Sequence, residues 1–340
     1  MSIDIAIDLG TSKTVIFNSS RIVLEEPTMV TVDSETYEPV YFGSDAKETL
    51  GRTPDSLSCI SPIEHGAIAD YEITGAMLTK YMLSAFGNKI IRPRVIACLP
   101  TGLTEVQHKF MGKIIEESGG RNVTVIESPI AAALGVGINF DEPLGTMIVD
   151  IGAGVTDIAS ISMGGIVQCN SFGVASNDFD EAIIKYVRRA YNIEIGPLTA
   201  EQIKMQIGSV VHRPVDITII AKGRNILTGL PESFEISSGQ VYETTFDTAV
   251  AICNAVRKVL EKTDPDIVSD IMDNGIHLVG GGALINGMAE FMAEFIGCKV
   301  ILAPDPAHSV IRGAALALKR PQLLKTLNYQ ARSIKDLIIE

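Results

Sequence analysis

The sequence predicts an α/β fold in two lobes, on three observations. Strand-like and helix-like segments alternate along the chain. A strand–glycine turn–strand unit, IDIAIDLGTSKTVIFNSSRIVL, returns later as TMIVDIGAGVTDIASISMGGIVQC, which points to an internal duplication. The 340 residues, 46% apolar and 20% charged, are enough for two cores and too apolar for a disordered chain.

The first lobe covers residues 1–145. IDIAIDLG is a buried strand entering a glycine turn, and VIFNSS and RIVLEE form the next strand pair. Met29 to Leu50 reads as short strands and turns, and Leu57 to Asp70 as irregular chain carrying Pro62 and Gly66. Residues 30–65 make a small insert. Ile73, Met77, Leu78, Tyr81 and Met82 share one side of a helix over Ile73–Phe86. RPRVIACLP is a further buried strand. The next helix starts near Thr104, where Thr104 and Gln107 fit a capping box, and ends at Gly119–Gly120. Its expected core face is Val106, Phe110, Ile114 and Ile115. Strand NVTVIES precedes a helix of small residues around Ala131–Gly137.

The second lobe covers 146–320, with an insert at 185–242. After the repeated unit come a helix over Phe179–Ala190, a helix near Ala200–Val211 and a strand-rich stretch, Val215–Ser238. A long helix follows over Thr245–Glu261. IHLVGGGA is a strand ending in a third glycine turn, and helices Gly287–Ile296 and Ser309–Lys319 close the lobe. Residues 321–340 carry an apolar stripe expected to pack back on the first lobe.

Composition removes several function classes. The net charge of −13, with dispersed basic residues, no Trp and 6% aromatics, argues against nucleic acid as a partner. No apolar run is long enough to span a bilayer, and the N-terminus lacks the pattern of a secretory leader, so a cytoplasmic location is expected. The five cysteines, Cys59, Cys98, Cys169, Cys253 and Cys298, show no zinc spacing and are expected to be buried apolar filler.

The glycine turns carry the chemistry. A turn without side chains exposes backbone N–H groups and lets phosphate oxygens approach. In the first, Gly10 is followed by the hydroxyls of Thr11, Ser12 and Thr14 and the charge of Lys13. In the second, Gly152, Ala153 and Gly154 supply the backbone. The third, Gly280, Gly281, Gly282 and Ala283, suits a base or sugar. Asp8 and Asp150 end the strands that enter the first two turns. Beside phosphates they call for a hydrated Mg²⁺, with Asp157 nearby. The turns are neither a Walker A loop nor a dinucleotide fingerprint, so a dehydrogenase is not expected.

With these motifs in place, the chain resembles the actin/Hsp70/sugar-kinase superfamily and, within it, the bacterial actin MreB family. DLGTSKT is similar to the family's first phosphate loop, DIGAGVTD to its second and LVGGGALINGM to its adenosine loop. GAIADY, ESPIAAALGVG, TAEQIKMQIG and ILTGLPE extend the likeness over nearly the whole chain. The resemblance implies an actin-like two-lobed fold of duplicated ribonuclease H-like domains around a central nucleotide cleft. It implies ATP or ADP with Mg²⁺ as cofactors, with Asp8 and Asp150 facing the metal and Glu201 and Lys204 on the ribose and base side.

The departures bear on hydrolysis. The family's water-positioning glutamate is matched by Ser128, one residue after Glu127, and its working threonine by Val155. Serine is a poor base and valine makes no hydrogen bond, so the expectation is nucleotide binding with hydrolysis weak or lost. Glu127 is a candidate for recruitment, against which stands the one-residue shift, which usually points a side chain elsewhere. Lys13 stands where the family often has asparagine, and Ser176–Asn177 where it has Gly-Asp. The resemblance also implies self-assembly into double protofilaments at the inner face of the cell membrane, with roles in cell shape or motility. Paralogous MreB proteins or membrane adaptors are expected as further partners. Ile90 and Ile91, flanked by Lys89, Arg92 and Arg94, fit a membrane-inserting loop. A fully active hydrolase of the family, and a kinase or chaperone-like enzyme of the superfamily, are the alternatives.

Overall fold

The structure is a computed structural model and describes residues 4–18, 20–87, 92–140, 142–320 and 332–333. Ile90, Ile91 and most of the segment after Arg320 therefore lie outside the described residues.

The first lobe opens with β1 (Asp4–Leu9), β2 (Lys13–Asn18) and β3 (Ile22–Pro27), an antiparallel meander. β4 (Val30–Asp33), β5 (Pro39–Phe42), α1 (Gly43–Thr49) and β6 (Leu57–Ile60) build a small outgrowth with strand order β5-β4-β6. β7 (Ile63–Glu64) and β8 (Ala67–Ile68) form a hairpin whose turn is His65–Gly66. Then come α2 (Tyr71–Phe86), β9 (Arg94–Leu99), α3 (Glu105–Glu117), β10 (Arg121–Glu127) and α4 (Ser128–Gly135).

The second lobe opens with β11 (Gly145–Ile151), β12 (Thr156–Ser162) and β13 (Gly165–Phe172), again an antiparallel meander. α5 (Ser176–Tyr191), β14 (Ile193–Glu194), α6 (Pro197–Ile207), β15 (Thr218–Asn225) and β16 (Pro231–Ser237) follow, the last strands forming a three-stranded sheet. α7 (Ser238–Lys262), α8 (Pro265–Asn274), β17 (Ile276–Val279), α9 (Met288–Ile296), β18 (Val300–Leu302) and α10 (Ser309–Lys319) complete it. β19 (Arg332–Ser333) adds to the first lobe by pairing antiparallel with β10.

The two main sheets are copies of one plan. Leaving β19 aside, the first runs β10-β9-β1-β2-β3 and the second β18-β17-β11-β12-β13. In each, a meander is followed by two strands parallel to its first. In register, Asp8 faces Val15 across β1–β2 and Asp150 faces Asp157 across β11–β12. The turns match as well: Gly10 N–H donates to Lys13 O at 3.1 Å and Gly152 N–H to Val155 O at 2.9 Å. A Cβ on Gly10 or Gly152 would lie 3.0 or 2.9 Å from that same oxygen, so both turns need glycine there.

α4 and α10 follow equivalent strands and cross between the lobes. A Cβ on Gly135 would stand 1.9 Å from Ser309 O, and one on Gly313 1.6 Å from Ala131 O. The helices thus touch backbone to backbone. Ile130, Leu134, Ile311, Ala314 and Leu318 around the crossing are buried in one core shared with Ile148 and Val279.

Several local expectations need correction. Val106 and Phe110 are 58% and 49% exposed, while Met111, Ile114 and Ile115 of α3 are buried. The inward stripe is turned toward His108 and Met111, and Phe110 instead packs edge-on against Tyr71 at 5.8 Å. The capping box stands: Gln107 N–H donates to Thr104 Oγ1 and Thr104 N–H to Gln107 Oε1. α7 starts earlier than its apolar spacing suggests because Ser237 and Gln240 form a second capping box. Leu57–Asp70 is not irregular but holds three short strands, and α1 and α8 were not anticipated. Of the cysteines, Cys98, Cys253 and Cys298 are buried, Cys59 is half-buried and Cys169 is exposed, so not all five are core filler.

Candidate functional site

A cleft of about 760 Å³ opens between the lobes and takes walls from both. Asp8, Gly10, Thr11, Ser12 and Lys13 line it from the first lobe, and Asp150, Gly152, Ala153, Gly154 and Val155 from the second. Glu201, Lys204, Gly280, Gly281, Gly282 and Ser128 line it too. Ala283 is buried and lies outside the lining, as does Glu127, which ends β10 just before Ser128.

The two phosphate-type turns meet across the cleft. Thr11 Oγ1 accepts a hydrogen bond from Gly66 N–H at 3.0 Å, and His65 Nδ1 lies 3.0 Å from Gly154 O. The His65–Gly66 turn is therefore wedged against both loops. A Cβ on Gly66 would sit 2.6 Å from Pro100 and 3.2 Å from Val155, so the wedge has no room for a larger residue. GAIADY marks this turn in the sequence, but only the fold shows that it bridges the loops.

The third glycine turn divides its labour. A Cβ on Gly280 would lie 2.3 Å from Ile151 O and 2.4 Å from Asp150 Oδ1, and one on Gly282 2.5 Å from Ile151 Cγ2. Those two glycines let the turn press against the end of β11. Gly281 meets nothing within 4 Å and offers its bare backbone to the cleft.

Asp8 and Asp150 lie at the cleft floor, largely surrounded by protein. Burial pushes the Asp8 carboxyl up to about 6, against the opposing pull of Lys13 and His308. Burial drives Asp150 well above the carboxylate range, helped by the charges of Asp157 and Asp8. Asp157 is also raised by burial, opposed by hydrogen bonds from Ser171 and Thr101. Burial and both aspartates push the Cys98 thiol up. Carboxylates held so close to one another favour a cation between them. Among the described residues no three His, Cys, Asp or Glu side chains converge as a ligand set. Two buried carboxylates, Asp8 and Asp150, suit an ion that takes few carboxylates and keeps several waters, the habit of Mg²⁺.

Glu201 and Lys204, on α6, do not pair with each other. Lys204 Nζ pairs with Asp180 Oδ2 at 2.7 Å and donates to Ser176 Oγ at 2.8 Å. Glu201 Oε2 takes Lys47 Nζ from α1 of the other lobe at 2.8 Å, an ion pair across the cleft mouth. Lys47 had no sequence signal, because α1 itself was not legible. Ser128, at the start of α4, and Val155 are 6% and 9% exposed and both reach the cleft.

Comparisons with known proteins agree with this geometry. The MreB/Mbl protein family matches residues 2–326. The cell shape-determining protein Mbl of Bacillus cereus is 39% identical over 319 residues, covering 93% of this chain and 96% of that protein. The cell shape-determining protein MreB of Escherichia coli K12 is 39% identical over 323 residues, covering 93% of each. The crystal structure of MreB 5 of Spiroplasma citri bound to AMPPNP superposes with a TM-score of 0.90 at 34% identity, covering 95% of this chain and 98% of that one. A MamK double helical filament shares the fold, with a TM-score of 0.80 at 21% identity over 94% of this chain and 99% of that one. By sequence along its length and by fold, the chain belongs to the MreB/Mbl family of actin-like proteins.

Proposed function

We propose that this chain is the subunit of an actin-like cytoskeletal filament that binds a nucleoside di- or triphosphate and hydrolyses it slowly. The observation that carries the reading is the pair of matched turns, Gly10–Lys13 and Gly152–Val155, facing one cleft with Asp8 and Asp150 at its floor. Backbone N–H groups of both turns, the Thr11 and Ser12 hydroxyls and Lys13 suit a polyphosphate. Gly281 and the α6 side chains suit the nucleoside. The Spiroplasma citri relative has been solved with AMPPNP and with ADP, which supports ATP and ADP as ligands. When bound, Mg²⁺ neutralises charge between the phosphates and the two aspartates. The filament reading draws on the MamK double helical filament and on relatives described as cell shape-determining proteins.

Slow hydrolysis rests on Ser128 and Val155. A carboxylate that orients water typically contributes about 10²–10⁴-fold, and Ser128 supplies only a hydroxyl where Val155 supplies none. Glu127, which ends β10 beside Ser128, is the neighbouring carboxylate left for recruitment. Filaments lie at the inner membrane face, held there by Ile90 and Ile91 through many weak contacts per filament. Assembly with paralogous MreB proteins or membrane adaptors belongs to the same reading.

Electron microscopy with Mg²⁺ and AMPPNP, paired with a phosphate-release assay, tests the proposal. Filaments with turnover well below that of Escherichia coli MreB are expected. Persistent monomers would overturn the filament reading, and equal turnover the slow-hydrolysis reading.

A further inference from the structure

Lys13 does not stand free in the cleft. Its ammonium donates to Glu25 Oε1 at 2.6 Å and lies 3.4 Å from His308 Nε2. Glu25 is on β3 of the same lobe, whereas His308 precedes α10 of the other. His308 Nε2 is 3.2 Å from both Glu25 carboxylate oxygens, and its Nδ1 is 2.9 Å from Asp305 Oδ1. Asp305 in turn holds Arg312 at 2.5 Å. With Nδ1–H given to Asp305, a neutral His308 accepts from Lys13 through Nε2, and a protonated one donates to Glu25. Burial would raise the Glu25 carboxyl, but hydrogen bonds and charge from Lys13 and His308 bring it below the usual range.

This arrangement puts an anion where a ligand's anion would go. Lys13 and Glu25 both line the cleft, and Lys13 closes the turn that begins at Gly10. The Lys13 and Glu25 side chains are 35% and 40% exposed. An ion pair so exposed is weak enough to exchange partners. The matched position in the second turn is Val155, so only the first lobe carries a cation here.

We propose that Glu25 is a built-in competitor for Lys13. A nucleoside di- or triphosphate takes Lys13 from Glu25, and Glu25 is left to the protonated form of His308 on the opposite lobe, which donates to it through Nε2. The proposal rests on the nucleotide reading above and deepens it: Glu25 sets the affinity for the phosphate tail and links its binding to a contact between lobes.

The test is calorimetric titration of the full chain with ADP and with adenosine, both with Mg²⁺. Glu25→Gln should tighten ADP binding about fivefold, the scale of an exposed ion pair, and leave adenosine unchanged. Lys13→Met should weaken ADP, and Glu25→Gln added to it should bring no gain. Glu25→Ala gives the same readout should the amide disturb folding, which thermal melts monitor. Unchanged ADP affinity in both Glu25 variants, or a gain that persists without Lys13, overturns the proposal alone. A wild-type chain that binds neither ligand overturns the nucleotide reading and this proposal with it.

Discussion

Asp150 faces Asp157 across the β11–β12 ladder, whereas the matched partner of Asp8 across β1–β2 is Val15. The duplicated floor of the cleft is thus electrostatically lopsided, with two acids on the second lobe and one on the first. Asp8 is the acid whose titration falls in an accessible range. Its folded-state value of about 6 lies above the ordinary 3.8. It therefore contributes stability that is complete below 3.8 and lost as the pH rises through about 6. Without nucleotide, the wild-type melting temperature should fall across that window relative to Asp8→Asn. Parallel pH profiles for the two proteins would refute the assignment.

The Gly135 and Gly313 contacts admit no side chain. Gly313→Ala must push α10 away from Ala131, and overpacking at a buried backbone contact costs about 3 kcal/mol. Gly281→Ala, which meets nothing within 4 Å, should leave stability unchanged. Chemical denaturation of both variants checks the contrast.

The Lys47–Glu201 pair spans the cleft mouth with its side chains 36% and 33% exposed. Its worth is that of a screened surface pair, so Lys47→Glu should speed nucleotide release about two- to fivefold. Lys47→Glu with Glu201→Lys should release nucleotide more slowly than Glu201→Lys alone if the pair acts across the mouth. Stopped-flow release of a fluorescent nucleotide measures it, and no recovery in the double variant would count against the contact.

Ser128 and Val155 both reach the cleft, so restoring the family's groups is a direct experiment. Ser128→Glu with Val155→Thr should raise phosphate release by about 10²-fold. Unaltered turnover with intact nucleotide binding would place the cause of slow hydrolysis elsewhere.

Ile90→Ser with Ile91→Ser should lower co-sedimentation with anionic vesicles while leaving filament formation in solution intact. Equal co-sedimentation of the variant would remove these two residues from the membrane reading.

The parts of the molecule legible in the sequence are those written in local chemistry. The strand–turn–strand units, the Thr104 capping box and the helix over Ser309–Lys319 each carry their signal within a few residues. The cleft residues next to glycines were legible for the same reason. Glu25, Lys47 and His65 were not. Each acquires its role from a partner far along the chain, His308, Glu201 and Gly154 respectively, and no spacing announces such a meeting. On α3, Val106 and Phe110 sit at helical spacing with Ile114, yet both are exposed, and Phe110 packs on Tyr71 of α2.

The backbone crossing of α4 and α10 limits how the lobes can move. Helices that touch through Ala131 and Gly313 cannot approach further, and drawing them apart would open a void in a shared core. Rotation about the crossing remains. Both helices begin at the cleft, where Ser128 and Val310 line it, so the crossing is a fulcrum and the mouth at Lys47 and Glu201 is the end of the lever. A turn about that crossing would move the Lys47–Glu201 pair more than it moves the helices that meet there.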